Sequence, residues 1–197
     1  NLHKKFIADG QLHGIEIVNE GTYSEEAFNI ALENNLALIG TSDVHNLIEW
    51  DYLTKKGEHR PVTLIFAKER TKDSLREALF QRRTAIWFKE ILIGKEENLL
   101  PLLNSIIELE SAGYAKGTQI LKVVLKNNSS ALIQLKNLSA YTFFDSTNLV
   151  NLPGNSEIVI RVKTIKNLDK LELDFQVLNA LIAPNMNPTV KLVTKIK

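Results

Sequence analysis

Leu36-Ala37-Leu38-Ile39 is apolar at every position, so a strand built from it needs cover on both faces. A sheet with one wet side would leave half of these residues in water, whereas a parallel strand beneath helices buries them all. The flanking segments agree with that reading. Gly14-Ile15-Glu16-Ile17-Val18-Asn19 suits a strand, and Thr22-Tyr23-Ser24-Glu25 has capping-box spacing ahead of Ala27, Ile30, Ala31 and Asn34 at helical intervals. Val62 to Ala67 reads as another strand, and Thr71 as the N-cap of a helix that turns Leu75, Ala78 and Leu79 inward. Thr84 to Phe88 supplies a last strand. Strands and helices alternate, and the expectation is an α/β unit whose ligand loops gather at the carboxyl ends of its strands.

The pattern changes after about Gly94, which places a domain boundary between residues 1–94 and 95–197. Asn98 to Ile107 reads as a short helix with Pro101 tolerated in its first turn. Beyond it, short aliphatic and β-branched runs recur between turn signals: Ile120 to Leu125, Ala131 to Leu135, Tyr141 to Phe144, Ile158 to Val162, Leu171 to Val177 and Val190 to Ile196. Such spacing predicts an antiparallel, Ig-like sandwich. Charges at alternate positions of 158–163 put one face in and one out. This half holds no histidine, and its acids are scattered. It reads as an accessory domain, with Tyr141, Phe143 and Phe144 in its core.

Composition narrows the function classes. With 197 residues, 44% hydrophobic and 24% charged, the chain has enough apolar mass for one or two cored domains. A formal net charge of +1 gives no single-sign field for binding nucleic acid or an acidic tail. There is no cysteine, so disulfides and thiolate metal sites are excluded. No apolar run reaches membrane-spanning length and no signal peptide is visible.

The chemistry concentrates after the apolar strand, in Thr41-Ser42-Asp43-Val44-His45. Side chains two residues apart on an extended or turning backbone project to one side, so the Asp43 carboxylate and His45 imidazole can meet on one divalent cation. Otherwise Asp43 caps a turn and His45 is incidental. Strict strand alternation allows only one of Glu16 and Asn19 to face the interior. Glu16 is then either a metal ligand or base, or half of a salt bridge. Arg60 is placed to hold a phosphate with two parallel hydrogen bonds, or is simply a surface cation. His13, just before the first strand, and His59, ending the polar stretch from Asn46, are weaker candidates. Arg82-Arg83 suits a helix C-terminus.

The succession Gly14 to Asn19, helix, apolar strand and Ser42-Asp43-Val44-His45 resembles the last part of a PHP phosphoesterase domain. The likeness runs on through Arg60-Pro61-Val62-Thr63-Leu64-Ile65-Phe66-Ala67-Lys68-Glu69-Arg70-Thr71 to Arg83-Thr84-Ala85, as in a bacterial branch of PHP phosphodiesterases with an extra C-terminal domain. The resemblance implies the C-terminal part of a distorted, TIM-like (β/α) barrel, followed by the sandwich. It implies two or three zinc, manganese or iron ions, with Asp43 and His45 as the final metal-binding motif. It implies hydrolysis of a small-molecule or nucleotide phosphate ester by metal-bound hydroxide. The family's opening His-x-His and its middle His and Glu ligands have no counterpart here. The chain is therefore expected to be a C-terminal fragment, inactive alone, with residues 1 to 7 as the end of a helix. Such a fragment is expected to be a soluble part of a bacterial cytoplasmic or periplasmic protein, and exposed strand edges would favour a homo-oligomer. Two alternatives stay open: a non-catalytic binding or scaffolding module, and an amidohydrolase-like metal hydrolase.

Overall fold

The computed structural model describes residues 2–196; Asn1, Lys197 and the side chain of His3 lie outside it. The chain forms two compact units, one of residues 2–99 with 180–186, the other of residues 100–179 with 187–196. In the first, α1 (Leu2–Ala8) precedes β1 (Gly14–Asn19), β2 (Thr22–Tyr23), α2 (Glu25–Glu33) and β3 (Ala37–Thr41). There follow α3 (Ile48–Asp51), a single 3-10 turn at Thr54–Lys56, β4 (Val62–Ile65), α4 (Lys72–Phe80), β5 (Thr84–Phe88) and β6 (Ile91–Gly94). Ser24, and not Thr22, caps α2, accepting from the Ala27 amide at 3.1 Å. Thr22 sits in the hairpin strand β2 and donates to the Asn19 carbonyl at 2.7 Å. Thr71 caps α4 as expected, but α4 buries only Ala78, and Leu75 is 39% exposed.

The expected α/β barrel segment is absent. In its place are two small sheets, β2-β1-β3 and a four-stranded one ordered Ala180–Leu181, β6, β5, β4. β1 and β3 run parallel, but β4, β5 and β6 are joined antiparallel. A parallel return requires a crossover that carries the chain back to the starting end of the strand. α4 does not provide it. The first residue of β5, Thr84, pairs with Ile65, the last of β4, and the Phe66 amide donates to the Arg83 carbonyl at 3.0 Å. Arg82, with φ +58, makes the reversal. Lys89, with φ +53, then turns the chain back into β6.

β3 is also closed along its second edge without another strand. The Leu38 amide donates to Thr84 Oγ1 at 3.1 Å and the Gly40 amide to Thr63 Oγ1 at 2.9 Å. The Thr63 hydroxyl donates back to the Gly40 carbonyl at 2.9 Å. Two side-chain hydroxyls thus satisfy buried backbone groups that a ladder would otherwise pair. Behind them lies a core of Ile17, Val18, Phe28, Ala31, Leu36, Leu38, Ile86, Phe88 and Ile93. The β1–β3 register shifts between Glu16 and Val18, so the adjacent residues Ile17 and Val18 are both buried. A bulge breaks the alternation that a regular strand would impose.

The second unit follows α5 (Glu96–Ile106), in which Pro101 lies inside the helix and not in its first turn. Its strands are β7 (Ile107–Tyr114), β8 (Ile120–Asn127), β9 (Ile133–Asn137), β10 (Thr142–Phe143), β11 (Leu149–Leu152), β12 (Ser156–Lys163), β13 (Lys170–Val177) and β15 (Thr189–Lys195); β14 (Ala180–Leu181) belongs to the first unit and pairs with β6. Two antiparallel sheets result, β10-β12-β8-β7 and β11-β9-β13-β15. Alternate residues such as Leu121, Val123 and Leu125, or Leu171, Leu173, Phe175 and Val177, are buried, as a sandwich requires. β7 and β11 escaped the sequence reading. Asn127 and Asn137 shape two corners in the same way. Each accepts a serine amide two residues on at 3.0 Å and donates to a backbone carbonyl four residues on. Phe143 is core, but Phe144 is 53% exposed, with Lys163 Nζ 5.4 Å from its ring. Among the described residues no helix is long and apolar enough to cross a membrane.

A Cβ on Gly40 would stand 2.6 Å from Ile86 Cγ2, and Ile86 is fully buried. Gly40→Ala is therefore expected to lower stability by about 1–3 kcal/mol, read from the urea midpoint; an unchanged midpoint would refute this packing. Lys95 is 5% exposed and bonds to Asn35 Oδ1. Burial, above all, lowers its pKa below the ordinary value of 10.5. Below that lowered pKa both states carry the ammonium, which the fold must hold buried; between it and 10.5 only the unfolded chain keeps the proton. The resulting penalty is fully present below the lowered pKa and is relieved as pH rises towards 10.5. The stability of wild type relative to Lys95→Met should therefore rise over that interval, and a flat difference would contradict it.

Candidate functional site

β3 ends at Thr41 and delivers Ser42, Asp43, Val44 and His45 to a loop beyond its carboxyl end. Asp43 adopts φ +47, a left-handed conformation that Asp tolerates better than most residues. The turn brings Asp43 Oδ1 to 3.8 Å from His45 Nε2, with the side chains 52% and 82% exposed. Two donors each about 2.1 Å from one cation lie about 3–4 Å apart over ordinary bond angles, so the pair has the separation of two ligands of one ion. Both line a pocket of about 390 Å³ together with Glu20, Gly21, Ser42, Asn46, Asp51 and Tyr52. Three carboxylates around one opening favour a cation. Among the described residues, however, no group of three or more His, Asp or Glu side chains is arranged to hold a metal ion. The pair fits part of a metal site and does not complete one.

Tyr52 reports the electrostatics of this pocket. Its hydroxyl pKa is raised above the ordinary value of 10.0, first by burial and then by the Glu20 and Asp51 carboxylates. Glu20, Asp51 and Tyr52 were not singled out from sequence. Their signal was position: Glu20 is the residue directly after β1, and Asp51-Tyr52 lies in the polar stretch that follows the Asp-x-His pair.

The other candidates are not gathered here. Glu16 lines a different cavity, of about 690 Å³, with Lys4, Leu12, Ile15, Glu26 and Ile30. One of its carboxylate oxygens accepts from the Thr41 hydroxyl and the other from Asn19 Nδ2 at 3.1 Å. Glu16 and Asn19 therefore share a side, which strict alternation forbids and the bulge allows. Arg60 is exposed and stands outside the lining of the Asp43 pocket. His59 fastens the end of its loop. Its ring lies 4.0 Å from that of Trp87, with Nδ1 2.7 Å from the Arg60 carbonyl and Nε2 3.0 Å from that of Lys89. His13 packs on Phe80, with ring centroids 4.6 Å apart. Arg82 and Arg83 do close the end of α4: Arg82 donates to the Phe80 carbonyl at 2.8 Å and Arg83 pairs with Glu77 at 2.7 Å.

Residues 107–193 match DUF5001, a family of Ig-like domains. Over 98% of its length the chain is similar to a crystal structure from Bacteroides vulgatus, a two-domain protein containing a predicted PHP-like metal-dependent phosphoesterase, at 32% identity and a TM-score of 0.86. It spans 55% of that protein. No curated protein matches the chain.

With burial and two carboxylates acting together, the Tyr52 phenol should titrate above the ordinary tyrosine value in a ¹³Cζ NMR titration. Glu20→Gln is expected to bring the midpoint part of the way down, because burial remains. An unchanged midpoint would remove Glu20 from the pocket.

Proposed function

We propose that Asp43 and His45 are two ligands of the metal site of a phosphoric ester hydrolase whose remaining ligands are not among the described residues of this chain. The observation that carries the reading is the left-handed turn at Asp43, which sets carboxylate and imidazole 3.8 Å apart at the carboxyl end of a buried strand. The similarity to a protein containing a predicted PHP-like metal-dependent phosphoesterase supports the reaction class. Asp43 would hold the ion through Oδ1 and His45 through Nε2, and this mixed O/N donor set suits zinc, manganese or iron. When bound, such an ion supplies an acidic water and a counter-charge for phosphoryl oxygens. Glu20 and Asp51 strengthen the negative potential that draws the cation in. Neither is placed as a ligand.

The Asp43 pocket faces outward, and its two donors are more than half exposed. A site closed by ligands from this chain alone would be more buried. The 197 residues by themselves are accordingly a weak metal binder without turnover, and activity belongs to an assembly that brings the missing ligands. A binding or scaffolding role fits the unit of residues 100–179 and 187–196, since 107–193 match Ig-like domains.

In a Mn²⁺ titration of the ¹⁵N-labelled chain, paramagnetic broadening is expected to centre on residues 43–46, 51 and 52. Asp43→Ala and His45→Ala should each raise the Mn²⁺ concentration needed by about tenfold or more. Broadening spread evenly over surface carboxylates, indifferent to both substitutions, would rule the site out.

A further inference from the structure

Thr41 is the hinge between the buried strand and the Asp43 turn, and its carbonyl and hydroxyl are both engaged. Its carbonyl accepts from the Glu20 amide at 3.1 Å, and its hydroxyl donates to the Glu16 carboxylate. The other Glu16 oxygen is held by Asn19 Nδ2, and Asn19 is the residue that pairs with Thr41 across the sheet. This closed loop of contacts exists because the β1 bulge puts Glu16 and Asn19 on one side. Two residues further on, Asp43 occupies its left-handed conformation at the mouth of a pocket that also holds Glu20 and Asp51. The contacts of Thr41 with Glu16 and Glu20 restrain the backbone that leads into this turn.

Resting on the metal-site reading above, we propose that Glu16 is a positioning residue: acting through Thr41, it holds the Asp43–His45 turn in the metal-binding arrangement without touching the ion. Glu16 is not itself a ligand, because both carboxylate oxygens are committed to Thr41 and Asn19 and its side chain lines a separate cavity. The arrangement is that of the outer hydrogen-bond partners that orient metal ligands in other proteins.

The test uses the ¹⁵N-labelled 197-residue chain with Thr41→Val, which keeps the shape and removes the donor, and with Glu16→Ala and Glu16→Gln. Without metal, Thr41→Val and Glu16→Ala are expected to introduce microsecond-to-millisecond exchange at the amides of residues 42–45, measured by relaxation dispersion, while amides of the sandwich stay unchanged. With Mn²⁺, both should need about tenfold more ion to broaden His45. Glu16→Gln retains an acceptor for Thr41 and should restore most of both properties, which a purely charge-based role would not predict. Dispersion profiles of Thr41→Val identical to wild type would overturn the positioning role. If wild type shows no localised Mn²⁺ broadening, the metal reading fails, and the metal-free dispersion comparison still decides whether Glu16 holds the turn.

Discussion

Two threonine hydroxyls, Thr63 and Thr84, occupy the edge of β3 where a further strand would otherwise pair. Buried amides left without acceptors are costly, so a strand apolar on both faces must have its second edge satisfied somehow. Hydroxyls from β4 and β5 do this at two points, and the ladder stops. The two sheets remain separate as ladders yet packed together, with Gly40 against Ile86 at the contact. Any larger side chain at position 40 would push the end of β3 away from β5, and the loop carrying Asp43 and His45 departs one residue after that strand ends.

From that fixed end the site is built with modest forces. The contacts of Thr41 with Glu16 and Glu20 are partly exposed, and exposed hydrogen bonds and ion pairs contribute little singly. Their value is geometric: they select one backbone path at a turn where Asp43 adopts φ +47. The pocket beyond is carboxylate-rich and open, lined by Glu20, Asp43 and Asp51. Burial and two of these carboxylates raise the Tyr52 pKa, and among the described residues no complete ligand group is present.

The second unit is held by different means. Its two antiparallel sheets bury alternate aliphatic residues, and its corners at Asn127 and Asn137 are set by side chains that bond the backbone on both sides of the turn. The match to Ig-like domains over residues 107–193 falls on this unit, whereas the Asp43 pocket lies in the other. The Asp43 pocket and the sandwich thus belong to separate units of the chain.

Much of the sandwich was legible because alternation and turn residues are local signals: runs such as Leu171 to Val177 announce their strands. The closeness of Asp43 and His45 was legible from their spacing of two residues, but the left-handed turn that sets it was not. Three further things were not legible. Strand, helix and strand over residues 62–88 spelled a parallel crossover, yet the reversal at Arg82 made β4 and β5 antiparallel, and direction of return is a property of the path and not of the pattern. Glu16 was limited by strict alternation until the bulge at Ile17 put it beside Asn19 and Thr41. Glu20, Asp51 and Tyr52 joined the pocket from loops with no spacing rule to connect them. Sequence by itself determined the burial of Leu36 to Leu38, with Ile39 only half-buried, most strands of the second half and the close spacing of Asp43 and His45, because each depends on residues within a few positions. Only the tertiary structure decided strand direction, the closing of the β3 edge and the company that Asp43 keeps, because those depend on groups that the chain brings together across tens of residues.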